Sequence, residues 1–344
     1  MSQPAPQPSD HPAVPRGRLG VLLINLGTPE APTAAAVRRY LREFLSDRRI
    51  IETSPLVWQP ILNLFILPFR PQRTAAAYRL IWRADADGSP LRHFTRLQAE
   101  GLGRGMSGLH AGVVVDWAMR YGTPSVAERL ESLRRAGCDR ILAFALYPQY
   151  SGTTTASAYD AVFRALEAMR WQPALRTAPP FHDHPAYVGA LAGTVRDHLS
   201  ALPWAPEAVV ASYHGIPKRY FDAGDPYYCH CAKTTRLLGE ALGWAEGSLR
   251  MTFQSRFGPM EWLQPYTDET LKALPAEGVR RVAVLSPAFL ADCLETLEEM
   301  AERGRETFLA AGGEEFTYIP CLNDAPAAID LLEVLVRREL GGWL

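Results

Sequence analysis

The chain has 344 residues, 47% hydrophobic and 21% charged, with 36 lysines and arginines against 37 acids and a formal net charge of −1 at pH 7. That length suits two domains or one large α/β unit with a well-packed core, and the balanced charge argues against a polyanionic partner, so no nucleic acid is expected. Five scattered cysteines, Cys138, Cys229, Cys231, Cys293 and Cys321, form no dense framework and point to a reducing compartment.

The opening "MSQPAPQPSDHPAVPRGR" is rich in proline and polar residues and lacks the apolar centre of a signal peptide, so residues 1–18 are expected to be a disordered leader. "GVLLINLG" predicts a strand near 20–26, and the "NLGTPEAP" that follows has one glycine and two prolines where a dinucleotide site needs three glycines. After the amphipathic pattern Thr33 to Phe44 comes "LVWQPILNLFILPF", Leu56 to Phe69. It falls short of the roughly 20 residues that span a bilayer and is broken by Pro60 and Pro68. It reads either as core or a flap over a pocket, or as an interfacial segment anchored by Trp58, Arg70 and Arg73. "GLGRGMSG", Gly101 to Gly108, precedes a strand and reads as a loop, not a phosphate cradle. Further strands are expected near 111–117, 140–147, 207–213, 249–254 and 281–286, separated by amphipathic patterns such as Ser125 to Arg135, Tyr187 to Leu199 and Thr235 to Leu242. The proline-paired "WQPALRTAPPFHDHP" reads as the linker between halves.

This alternation predicts an α/β fold: two similar lobes, each a largely parallel four-stranded sheet flanked by helices, with the active-site cleft between them. The expected division is an N-terminal lobe over 19–178, a C-terminal lobe over 179–324, and a helix over 325–344 that returns to pack on the first lobe.

The chemistry candidates lie at strand ends. In "VVASYHGIP", His214 closes a buried strand where open α/β sheets handle ligands, although a hydrogen-bonded turn histidine is the plainer reading. In "LSPAFLADCLETLEEM" a strand ends at Ser286, and Asp292, Glu295 and Glu299 recur at spacings of three and four, hence on one helix face. The structural alternative makes Asp292 the N-cap and Glu295 its capping-box partner, with Leu294, Leu297 and Met300 buried. If both loops face the cleft, imidazole and carboxylates together exchange protons or offer nitrogen and oxygen ligands to a borderline divalent metal. Hydrolysis is disfavoured, since no G-x-S-x-G elbow surrounds Ser212. "YYCHCAKTT" has the wrong spacing for zinc and reads as structural thiols, and the scattered cysteines do not suit an iron–sulfur cluster. Tyr121, Tyr147, Tyr150 and Trp262 follow or end strands, as core residues or as walls for a flat apolar ligand whose carboxylates Arg70 and Arg120 would meet.

The motifs "LLINLGTPEAP", "RRYLREFLSDRRI", "YPQYSGTTTAS", "SYHGIPKRYFDAGDPYYCHC", "FQSRFGPMEWLQPYTDET" and "SPAFLADCLETLEEM", in this order, resemble the ferrochelatase family from about Gly20 to Arg337. The resemblance implies that His214 is the active-site histidine and Glu295 the catalytic glutamate, both facing the metal, with Glu299 and Asp292 in an acidic path. Tyr121, Trp262 and Phe289 would line the porphyrin pocket, and Arg70 and Ser89 would meet propionates, with residues 50–75 as a lip over the cleft mouth; Tyr147 and Arg120, singled out from their strand-end positions, are expected to join the aromatic wall and the carboxylate contacts. Two departures stand out: Cys293 where some members carry histidine, and Gly152 where some cluster-bearing members carry cysteine, with no C-terminal cysteine group before "RRELGGWL".

The implied reaction inserts Fe²⁺ into a free-base porphyrin, protoporphyrin IX, with release of two protons. Ferrous iron is then a substrate, with no tightly bound cofactor and no cluster. The protein is expected to be a cytoplasmic monomer, with the lip residues Leu64, Phe65, Ile66, Leu67 and Phe69 touching the inner face of the cell membrane. The alternatives are a coproporphyrin ferrochelatase, a cobalt chelatase for a related tetrapyrrole, and a two-lobed binding protein without catalysis.

Overall fold

The computed structural model describes residues 17–84, 88–107 and 112–344. The first lobe comprises β1 (Arg18–Gly27), α1 (Ala34–Leu45), α2 (Pro55–Ile61), α3 (Arg70–Ile81), α4 (Pro90–Ser107), β2 (Val113–Tyr121), α5 (Val126–Arg135), β3 (Cys138–Ala145), α6 (Ser157–Glu167) and β4 (Ala174–Thr177). The second comprises α7 (Pro185–Ser200), β5 (Ala208–His214), α8 (Lys218–Asp222), α9 (Tyr227–Leu242), β6 (Leu249–Gln254), α10 (Thr267–Ala273), β7 (Arg281–Leu285), α11 (Leu294–Thr296), α12 (Arg305–Ala310), β8 (Glu315–Ile319) and α13 (Pro326–Glu339).

The two sheets are wholly parallel and share one topology, β2-β1-β3-β4 and β6-β5-β7-β8. Because helices cover both faces, the middles of the central strands are apolar on both sides: Leu22, Leu23 and Ile24 in β1 and Val210 and Ala211 in β5 are fully buried. Strand order reverses beside β1 in one lobe and beside β5 in the other. Such switch points leave a crevice at the carboxyl ends of the strands, and His214 is the last residue of β5.

Four sequence expectations need correction. The stretch read as a linker contains β4, which pairs with β3 from Arg140↔Ala174 to Ala143↔Thr177. Neither β4 nor β8 is found from apolar runs, because both are short edge strands with half-exposed side chains. The glycines Gly101, Gly103 and Gly105 belong to α4, not to a loop. A Cβ at Gly101 would lie 2.6 Å from the Ile329 side chain of α13, so the small residue lets the last helix pack against the first lobe. The expected leader lies outside the described residues up to residue 16, and Arg18, its last residue, instead opens β1.

One backbone contact fixes the β1–β2 pair where the cleft begins. Gly27 has φ +121°, and a Cβ there would lie 1.9 Å from the Tyr121 carbonyl oxygen. Gly27→Ala is therefore expected to destabilise the chain by about 2 kcal/mol or more. Gly193→Ala, inside α7 with nothing within 4 Å of the added carbon, should stabilise by about 0.5–1 kcal/mol. Urea unfolding of both variants checks the contrast.

Candidate active-site cleft between the lobes

A cleft of about 1390 Å³ opens at the carboxyl ends of the strands. The first lobe contributes Asn25, Tyr40, Tyr78 and Tyr147; the second contributes His214, Gln254, Trp262, Phe289 and Glu295; Phe65, Phe69, Arg70 and Arg73 close the mouth.

His214 leaves β5 into a turn that only glycine allows. A Cβ on Gly215 would lie 2.9 Å from the Gln254 carbonyl oxygen and 3.2 Å from the Trp262 ring. The His214 Nδ1 sits 2.7 Å from the Gly215 carbonyl oxygen. A carbonyl only accepts, so Nδ1 carries the proton, and Nε2 of the neutral ring is left as base or ligand. Gln254 ties this turn to the opposite acid. Its backbone carbonyl accepts from Gly215 N at 2.9 Å, its Oε1 accepts from Ser212 Oγ at 2.7 Å, and its Nε2 donates to the Glu295 carbonyl at 2.7 Å. Sequence reasoning missed Gln254, since a lone glutamine at a strand end carries no motif.

The acidic wall departs from the predicted helix face. Cys293, extended at φ −148°, is the N-cap, and Thr296 donates its hydroxyl to Asp292 Oδ1 at 2.9 Å and accepts from Cys293 N at 2.9 Å. The Asp292–Glu295 capping box therefore does not form. Asp292 precedes the helix and is buried away from the cleft, where its carboxylate accepts from Asn323 Nδ2 at 2.7 Å and from the Tyr318 hydroxyl at 3.3 Å. From Leu297 to Gly304 the helix widens into π geometry, and Glu295, Glu298 and Glu299 all line the cleft. Glu298 was not singled out from sequence, where a regular α-helix was assumed. Glu299 accepts a very short hydrogen bond from Ser255, a residue held at φ +69°. Such left-handed backbone costs of order 1–3 kcal/mol in a residue other than glycine, and it clusters at functional sites.

Tyr147, Trp262, Phe289 and Arg70 line the cleft as expected positions. The Tyr147 hydroxyl is buried with no hydrogen-bond partner among the described residues, and burial raises its pKa well above the usual tyrosine range. Trp262 is held by donation from its indole to the Phe257 carbonyl at 3.0 Å. Burial likewise raises the Tyr40 and Tyr78 pKa values, with the Glu295 charge adding to both. Those two tyrosines sit on α1 and α3 and gave no sequence signal beyond a buried helix stripe.

Tyr121, Arg120 and Ser89 are not among the cleft-lining residues. Tyr121 is fully buried, packs edge-on against Phe44 at 5.1 Å and donates its hydroxyl to Asp47 at 2.8 Å. Arg120 pairs with the same carboxylate at 2.5 Å and donates to the Ser157 carbonyl at 2.8 Å. Ser89 is buried where its carbonyl accepts the first helical bond of α4, from His93 N. Tyr121, expected just past its strand, is the last residue of β2, and its side chain turns under α1 instead of into the cleft.

Two predictions follow from these contacts. Burial raises the Asp47 pKa, but bonds from Ser157, Arg49 N and Tyr121 and the Arg120 charge outweigh it, holding it below the ordinary value. A depressed carboxylate stabilises the fold above its unfolded pKa of about 3.9 and loses that contribution as pH falls through the folded value. Asp47→Asn should therefore be less stable than wild type at pH 7, and thermal unfolding should show the difference shrinking below about pH 4. Gln254→Leu should cost about 1–3 kcal/mol, because it removes the donor to the part-buried Glu295 carbonyl and leaves the buried Ser212 hydroxyl only Thr267 as a side-chain partner; urea unfolding measures it.

The family model for ferrochelatase matches residues 18–340. A ferrochelatase of Rhizobium meliloti (strain 1021) is 58% identical over 336 residues, covering 98% of this chain and 99% of that protein. One of Gluconobacter oxydans (strain 621H) is 54% identical over 329 residues, covering 96% and 95%. Among solved structures, SirB from Bacillus subtilis with Fe3+ superposes with a TM-score of 0.55 at 12% identity, covering 94% of this chain and 95% of that one. CbiX, the terminal enzyme for biosynthesis of siroheme in denitrifying bacteria, gives 0.51 at 13% identity over 93% and 98%. These two likenesses concern the fold alone. With the family model spanning both lobes and relatives above 50% identity along nearly their whole length, the chain belongs to the ferrochelatase family.

Proposed function

We propose that the cleft inserts Fe²⁺ into protoporphyrin with release of two protons, the metal-inserting step of haem biosynthesis. The observation that carries this reading is the pairing of His214 and Glu295 on one cleft, joined through Gln254, in a chain of this family. Coproporphyrin, a cobalt-loading tetrapyrrole reaction and ligand binding without turnover are not favoured by the relatives' names.

The free-base ring must lose two pyrrole protons and bend so that its nitrogen lone pairs reach the metal. Binding the bent ring more tightly than the flat one lowers that barrier, with strain of roughly 1–5 kcal/mol drawn from remote contacts. Tyr147, Trp262 and Phe289 supply such contacts, and Arg70 faces the propionates at the mouth. His214, with Nδ1 turned to the Gly215 carbonyl, accepts a pyrrole proton at Nε2, and Glu295 with Glu299 carries protons or the incoming metal along the wall. His214 and Glu295 offer two donors, short of the four that retain a structural zinc, which suits a metal that must leave into the ring. Tyr121, Arg120 and Asp292 act at one remove, holding the lip base and the helix start.

The reading has no resident iron–sulfur cluster. Its support is that the five thiols fall in three places: Cys138 in the first-lobe core, Cys229 and Cys231 on α9, and Cys293 with Cys321 beside Asp292. We read the protein as a cytoplasmic monomer, since one chain completes the cleft.

A membrane contact at the lip is part of the proposal. No helix among the described residues is long and apolar enough to cross a membrane, but Leu56, Leu64, Phe65 and Phe69 are 89, 64, 67 and 73% exposed around the mouth. Leu67, expected among the contacts, is instead buried at 2% and serves the lip's own packing.

Purified protein with Fe²⁺ and protoporphyrin under anaerobic conditions should consume the free-base fluorescence; its persistence contradicts the proposal. His214→Ala should lower insertion by about 10²-fold or more while porphyrin still binds. For the lip, flotation with anionic liposomes should recover wild type and lose a Leu64→Ser/Phe65→Ser variant, and equal recovery would show that the segment only closes the pocket.

A further inference from the structure

The acids of the cleft wall are already occupied by a cation from the chain itself. Arg303, one turn beyond Glu299 on the π segment, reaches back so that Nε meets Glu298 Oε1 at 2.9 Å and Nη2 meets Glu299 Oε1 at 3.0 Å. The second oxygen of Glu299 accepts from Ser255. The carboxylates are largely shielded, at 11 and 21% side-chain exposure, while the arginine is 52% exposed. All three side chains line the cleft.

Resting on the reading above, we propose that Arg303 is a specificity-determining residue for the metal substrate: its guanidinium holds on Glu298 and Glu299 the place that an incoming hydrated divalent cation takes, and it swings away as the cation enters.

Three features carry this. First, a guanidinium fork across two carboxylates neutralises one of their two charges, so a divalent ion reaching Glu298 and Glu299 meets at that pair a net single negative charge until the arginine leaves. Second, the asymmetry of exposure lets the arginine move at little cost, whereas the acids are fixed by the widened helix and by Ser255. Third, Arg70 and Arg73 stand at the same mouth, so Arg303 is the one of these three guanidiniums that two wall carboxylates grip directly. A cation that binds oxygen donors weakly would fail to displace the fork, so the arginine filters metals by their affinity for carboxylate.

The test uses Mn²⁺, an oxygen-preferring ion, titrated without porphyrin and followed by the electron paramagnetic resonance signal of the free ion. Arg303→Gln and Arg303→Met should each bind Mn²⁺ at least threefold more tightly than wild type, and Arg303→Lys, which restores a cation, should return toward the wild-type affinity. Adding Glu298→Gln and Glu299→Gln should abolish the gain. In anaerobic steady-state insertion the KM for Fe²⁺ should fall at least threefold in Arg303→Gln, with porphyrin affinity by fluorescence quenching unchanged. Thermal unfolding selects the folded variants, and either neutral substitution decides if the other fails to fold. Equal or weaker Mn²⁺ binding by a folded neutral variant would overturn the proposal and make Arg303 a brace for the acids. An inactive wild type would instead count against the proposed reaction while leaving the Mn²⁺ comparison intact.

Discussion

The Gln254 side chain is the joint on which the cleft depends. It is 4% exposed, ends β6, and bonds β5 through Ser212 and the acidic helix through the Glu295 carbonyl. Its backbone carbonyl, within touching distance of any side chain at position 215, also sets the turn after His214. A primary amide suits this task because it donates and accepts at once, in a core where an unpaired polar group costs about 1–3 kcal/mol. The backbones that carry His214 and Glu295 are thus tied together by a hydrogen-bond chain through Gln254, which helps to position the reacting groups.

Around that joint the protein departs from regular backbone where the chemistry lies. Ser255 follows Gln254 in the left-handed region and grips Glu299, and the helix that begins at Leu294 widens within one turn. Both devices turn acids toward a cavity that a regular helix would turn partly away. The opposite wall is apolar, with the Tyr40, Tyr78 and Tyr147 pKa values raised by burial, and the Glu295 charge adds to the first two. Beneath the lip, Asp47 gathers Arg120, Tyr121 and Ser157 into a buried network that anchors the floor without entering the cavity.

The doubly repeated sheet was legible because buried parallel strands are apolar on both faces, so runs such as "GVLLINLG" and "EAVVASYHG" stand out. The edge strands β4 and β8 were not, being short, half-exposed and, for β4, set among prolines that read as a linker. Gly101 and Gly105 looked like loop because composition does not reveal that a distant helix needs the room. His214 was found from its place at a strand end. Tyr121 had the same credential and faces the core, since a strand-end position fixes the residue and not the side it presents. Asp292 does not share the face of Glu295 and Glu299, because the spacing argument takes the helix to include Asp292 whereas it starts at Leu294, one residue beyond the Cys293 N-cap. Glu298 and Arg303 become visible only once the π geometry and the ion pairs are known.

The central claim is that His214 and Glu295 serve one insertion step across a single cleft. A double-substitution cycle on single-turnover Fe²⁺ insertion, with porphyrin bound beforehand, tests it most directly. The account predicts that His214→Ala combined with Glu295→Gln loses distinctly less than the product of the two separate losses, with porphyrin affinity nearly constant, as residues acting on one step do. Losses that multiply in full, or that track porphyrin affinity, would contradict it.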